Sequence, residues 1–168
     1  TAKVQEAETL MRRGLALGRR VLGEDHETVL MALHNLGTAM KDQGRLDEAE
    51  KLFRSVLAMD PGFVFGHYNL AHCLFLAGRF EESAEQYRAG LRRDPAKTPN
   101  QNARLAWALL AAGHGKEAGR ELKRALERID PSELPALHDE ASQVLGAIEA
   151  LRPADRAAVA AIRRLLVA

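Results

Sequence analysis

The chain has 168 residues, 46% hydrophobic and 28% charged, a balance that supports a folded core and excludes intrinsic disorder. It carries 24 Lys and Arg against 23 Asp and Glu, a net charge of +1, so the basic excess of a nucleic-acid binder is missing. The single cysteine, Cys73, excludes an internal disulfide and a cysteine-built zinc site, and favours a reducing, cytoplasmic setting.

No apolar run approaches the roughly 20 residues a bilayer span needs, and no signal-peptide pattern opens the chain, so no membrane partner is expected. Residue 1 is Thr rather than Met, which suggests a fragment or processed product. Ala, Leu, Arg and Glu dominate, and all are strong helix formers. No alternating strand pattern occurs, so the expected class is all-α, with about nine helices.

In chain order, residues 1–26 predict half of a helical unit, closed by the linker 22–26. Three full units follow, at 27–61, 62–95 and 96–131. The markers that define them recur in one register. Gly44, Gly78 and Gly113 are spaced by 34 and 35 residues, and so are Ala49, Ser83 and Ala118. Asp60-Pro61 returns as Asp94-Pro95, 34 residues on, and as Asp130-Pro131 after a further 36. The glycines stand where a first helix ends and left-handed backbone is favoured. The prolines end the second helix. After Pro131 the register fades. Ser132 is expected to cap a helix over roughly 133–151. Pro153 then opens a last helix, roughly 154–167, with Ala157, Val159, Ile162, Leu165 and Leu166 as its apolar stripe. Residues 132–168 thus predict a degenerate unit or a capping pair, and 1–168 one domain.

Between the markers, the first full unit reads Leu33, Leu36, Gly37 and Met40, then Ala49 and Phe53, then Pro61. The second has His67, Leu70, Ala71, Leu74, Ser83, Tyr87 and Pro95. The third has Asn102, Leu105, Ala106, Leu109, Ala118, Leu122 and Pro131. This pattern resembles the tetratricopeptide repeat family over residues 6–131. Small residues at Gly37, Ala71 and Ala106 let paired helices approach, with Phe53, Phe80 and Tyr87 in the core. Glu6-Ala7-Glu8-Thr9-Leu10 returns as Glu48-Ala49-Glu50-Lys51-Leu52 after 42 residues. With the linker, that period resembles the kinesin-light-chain type of array over roughly residues 6–60.

The resemblance implies a right-handed superhelical solenoid of antiparallel helix pairs, because one unit cannot bury its apolar face alone. It also implies a concave groove lined by first helices, in which partner proteins lie as extended segments. Groove positions fall on His34, Asn35, Thr38 and Lys41 in the first unit. In the second they fall on Phe65, Tyr68, Asn69 and His72, and in the third on Arg104 and Trp107. Asn35 and Asn69 are equivalent and are expected to grip a peptide backbone. Arg104 is expected to hold a carboxylate, and Tyr68 and Trp107 to anchor apolar side chains. The carboxylate clamp of chaperone-tail binders needs Lys and Asn where this chain has His34 and Thr38.

No catalytic or cofactor motif stands out. His67 and His72 are five residues apart and diverge on a helix, so no metal is expected. Cys73 sits at a small, buried position. Arg54, Arg88, Arg92, Arg93, Arg124 and Arg128 come late in second helices and their acids early, the order a helix dipole favours, which predicts a solvated convex face. The leading expectation is a non-enzymatic scaffold for a protein or peptide segment, with no cofactor. Its alternatives are a regulatory domain of a larger enzyme and a homo-oligomer built through exposed solenoid ends.

Overall fold

A computed structural model describes residues 2–94 and 99–167; Pro95 lies outside the described residues. Among these are nine α-helices, two short 3-10 turns and no strand. The helices are α1 (Ala2–Leu22), α2 (Glu27–Asp42), α3 (Leu46–Met59), α4 (Val64–Leu76), α5 (Phe80–Arg93), α6 (Pro99–Ala111), α7 (Gly115–Leu126), α8 (Leu134–Leu151) and α9 (Arg156–Val167). They fall into two compact units, residues 1–77 and 78–168, with the boundary inside the expected unit 62–95. No helix among the described residues is long and apolar enough to cross a membrane.

The first unit is built on α2. Its buried positions are Val29, Leu30, Leu33, Leu36, Gly37 and Met40, one stripe of an amphipathic helix. The stripe packs on α3, which returns Ala49, Phe53 and Val56, all fully buried. Contact is closest at Gly37. A Cβ there would lie 2.9 Å from Cε1 and 3.1 Å from Cζ of Phe53. The missing side chain is what lets the ring sit against the α2 backbone. Helix α4 meets α3 in a similar way, since a Cβ at Gly66 would lie 2.9 Å from Cδ2 of Leu57. Across α1 and the α2–α3 turn, Arg45 bonds Glu8 (2.6 Å) and Glu48 (2.7 Å), while Arg12 joins the same two carboxylates. Arg45 first, then Arg12, holds the Glu8 carboxyl below the usual carboxylate range.

The marker glycines behave as their spacing predicts. Gly44, Gly78 and Gly113 all take positive φ, between +75° and +92°. After Gly44 the Arg45 N–H donates back to the Met40 carbonyl at 2.9 Å, and after Gly113 the His114 N–H donates to Leu109 at 2.8 Å. These bonds satisfy carbonyls at the ends of α2 and α6.

In the second unit α6 is the most deeply buried element, with all of Leu105–Ala111 inside. It is flanked by α5, α7 and α8, and α7 also meets α9. A Cβ at Gly115 would stand 2.6 Å from the Ala158 Cβ, which sets the approach of α7 to α9. Gly113 is doubly constrained: beyond its φ of +92°, a Cβ would fall 2.6 Å from Nη2 of Arg152. Arg152 in turn donates to the Ala111 carbonyl at 2.9 Å, capping α6 from the far end of α8.

Three sequence expectations change here. Ser132 does not cap α8, whose N-cap is Glu133 without a side-chain cap bond; Asp130 instead caps the turn before it, accepting from the Ser132 N–H (2.8 Å) and hydroxyl (2.6 Å). A 3-10 turn at Pro131–Glu133 then precedes α8. Along α9 only Val159 and Ile162 are buried; Ala157 is exposed, and Leu165 and Leu166 are half-buried. Phe53 and Tyr87 are core residues as expected, while Phe80 is only partly covered.

Gly37→Val tests the close approach. Phe53 is fully buried and has no free space to retreat into, so the variant is expected to lose about 1–3 kcal/mol in chemical denaturation. Phe53→Leu added to it is expected to restore part of the loss. No loss in the single variant would show that the approach is not tight.

Candidate functional site

In the first unit the expected groove residues of α2 and α4 come together as one connected set. Lys41 Nζ donates to Asn69 Oδ1 at 3.3 Å. With that oxygen engaged, Asn69 Nδ2 faces His34 Nε2 at 2.9 Å and donates to it. His34 is therefore a neutral imidazole with its proton on Nδ1. That Nδ1 is buried without a well-formed hydrogen bond. The ring is held edge-on by Phe63, with centroids 5.2 Å apart, and Phe63 meets Phe65 at 6.1 Å. Polar and aromatic contacts thus run from Lys41 to Phe65 along neighbouring helices.

Burial pushes the His34 pKa down, and the Lys41 charge adds to this, while Asn35 acts in the opposite direction. Protonation would also remove the acceptor that Asn69 uses. The remaining expected residues divide by exposure. Asn35 is exposed and Phe65 is 63% exposed. Thr38 turns its hydroxyl back to the His34 carbonyl at 3.1 Å. His72 is half-buried, and Tyr68 is buried at 7% exposure.

In the second unit Arg104 does meet a carboxylate, but an internal one: its Nε lies 3.4 Å from Oε1 of Glu140 on α8. Trp107 is 1% exposed and its Nε1 is buried without a partner among the described residues. The expected groove anchor is thus a core side chain, because every residue of α6 around it is covered. Cys73 is likewise buried, and burial pushes its thiol up to about 11, so it is not a poised nucleophile. No cluster of three or more His, Cys, Asp or Glu suited to a metal occurs among the described residues.

Sequence reasoning overlooked a cleft of about 600 Å³ among α5, α6 and α7. Arg88 and Arg92 line it from α5, and Arg124 and Arg128 from α7. The signal was present. Each pair is spaced i,i+4, which places its two arginines on one face of its helix.

Models of the tetratricopeptide repeat match residues 2–61 and 34–98, jointly 2–98 and more than half of the chain. The chain belongs to the tetratricopeptide repeat family. Its fold is the all-α solenoid of helix pairs typical of that family. Among solved structures it is similar to the nearly identical TPR-like repeats of a kinesin light chain protein from Podosopora anserina. That match has 21% identity and a TM-score of 0.70, covering 98% of this chain and 87% of the other. It is also similar to the type III secretion chaperone SycD of Yersinia enterocolitica in complex with a peptide of the translocator YopD. There the identity is 24% and the TM-score 0.64, covering 76% and 97%. A third similar structure is that of MamA, with 14% identity and a TM-score of 0.64, covering 93% and 84%. At these identities the likeness is one of fold.

The His34 arrangement gives a pH prediction. A histidine whose folded pKa lies below 6.5 leaves more protons on the unfolded chain, so its contribution to stability is complete above about pH 6.5 and is lost as pH falls below it. The melting temperature should therefore drop between about pH 7 and pH 5. His34→Gln, which cannot titrate, should show a shallower drop in circular-dichroism melts. Equal slopes would mean that His34 is not the group responsible.

Proposed function

We propose that the chain is a protein-interaction scaffold in which the α2–α4 face of the first unit holds an extended segment of a partner protein. The observation that carries this reading is the exposed Phe65, linked through Phe63 and His34 to the Asn69 amide. An aromatic side chain left 63% exposed beside ordered amides offers both apolar anchoring and backbone hydrogen bonding. Asn35 is the exposed amide of the set, whereas Asn69 already spends one donor and one acceptor within the protein. Its second amide hydrogen and second lone pair remain for a ligand. The SycD complex, a peptide bound by a similar fold, supports the same mode of use. Arg104 and Trp107 are not assigned to this surface. No catalytic role is proposed, and a reducing, cytoplasmic setting suits the single buried thiol.

Affinity capture followed by mass spectrometry tests the reading. Phe65→Ala combined with Asn35→Ala removes two exposed groups, so stability should change by less than about 1 kcal/mol. Captured partners should fall about tenfold, the effect of losing roughly 1.4 kcal/mol of binding. Retention of the same partners at the same level would remove this face from consideration.

A second reading, self-association, has one observation behind it. On α1, Leu10, Leu17 and Val21 form a stripe with exposures of 62%, 54% and 66%. Such apolar faces mark contact surfaces. Light scattering should then report a dimer that Leu17→Lys dissociates; a monomer at about 100 µM would end this alternative.

A further inference from the structure

Four arginines line the α5–α7 cleft, Arg88 and Arg92 from α5 and Arg124 and Arg128 from α7. Arg88 Nη2 bonds Glu117 at 2.5 Å, and Arg124 Nη1 bonds Glu121 Oε1 at 2.6 Å. Glu121 is 9% exposed and its other oxygen accepts from Asn102 Nδ2 at 3.2 Å, so this carboxylate is already satisfied. Arg92 is exposed and makes no ion pair among the described residues. Four guanidinium groups against the carboxylates of Glu121 and Glu127 in the lining, and of Glu117 bonded to Arg88, leave a surplus of one positive charge (4 − 3). Within each helix the two arginines lie one turn apart, roughly 6 Å along the axis, and present two parallel rows of forked donors. Leu91 and Leu105 provide apolar surface in the same cleft.

We propose that this cleft is a separate binding site for an acidic protein segment, one that carries several Asp or Glu side chains with apolar residues between them. The carboxylates would meet the arginine rows and the apolar side chains would cover Leu91 and Leu105. A peptide fits better than a nucleic acid because of Glu127, which is exposed in the lining. A peptide backbone offers N–H groups to that carboxylate, whereas a phosphodiester backbone offers only more negative charge. The site lies wholly in the second unit and does not rest on the α2–α4 reading.

Fluorescence anisotropy on the whole chain tests it. The probe is a labelled peptide of about fourteen residues built from Asp, Glu and Leu. Its controls are the Asn/Gln analogue and a single-stranded oligonucleotide of similar charge. The acidic peptide should saturate, the analogue should not, and affinity should fall as salt is raised. Arg92→Glu with Arg128→Glu should weaken the acidic peptide by about tenfold or more, with the helical fold confirmed by circular dichroism. Should that double variant misfold, Arg92→Gln removes only an exposed charge and should still weaken binding about threefold. Phe65→Ala should have no effect. Absence of saturable binding, equal affinity in the arginine variants, tighter binding of the oligonucleotide, or loss of binding in Phe65→Ala would each overturn the proposal.

Discussion

The structure of the first unit depends on how closely two helices can approach when one of them lacks a side chain. At Gly37 the α2 backbone is covered directly by the Phe53 ring, and neither partner has room for an added carbon. Dispersion contacts weaken quickly with distance, so a gap of even 1 Å would forfeit much of what this pair contributes. From that approach follows the depth at which α2 sits. The same depth brings its outer residues within hydrogen-bonding range of α4. The Lys41–Asn69–His34 chain is thus a product of the packing beneath it.

The polar groups above this packing are in part structural. Asn69 and Arg104 stand at positions where the resemblance implies ligand contacts, yet both have internal partners. An amide or guanidinium on a solenoid face is not kept idle while waiting for a ligand, because leaving it half-desolvated costs free energy. A partner then competes with, or adds to, bonds that already exist. Phe65 and Asn35, by contrast, are exposed in the absence of any partner.

The fold was legible in the sequence because its determinants are local and periodic. The glycine spacing gave the helix ends and their positive φ values, and the small-residue register gave the close approach at Gly37, though not those at Gly66 and Gly115. The last two helices were placed within about two residues, with the wrong cap at Ser132, since a 3-10 turn capped by Asp130 takes up that residue before α8 begins. Partnership across the repeat was not legible. Glu140, which engages Arg104, lies where the register has faded, so no pattern pointed to it. Trp107 was misplaced because helical position indicates one face, whereas Leu105–Ala111 of α6 is buried throughout. The arginine cleft was overlooked for the opposite reason: its residues were read helix by helix as a solvated surface, and the concavity appears only when α5 and α7 are seen on either side of α6.

Arg152 reaches back from the end of α8 to occupy the space that Gly113 leaves and to accept the burden of a carbonyl that α6 would otherwise present unbonded. The α8–α9 pair is therefore an integral part of the second unit rather than a decoration. Any shortened version that ends near residue 131 would strip this plug away and leave the deepest helix of the second unit frayed at its tip, with its apolar flank open to solvent and to aggregation.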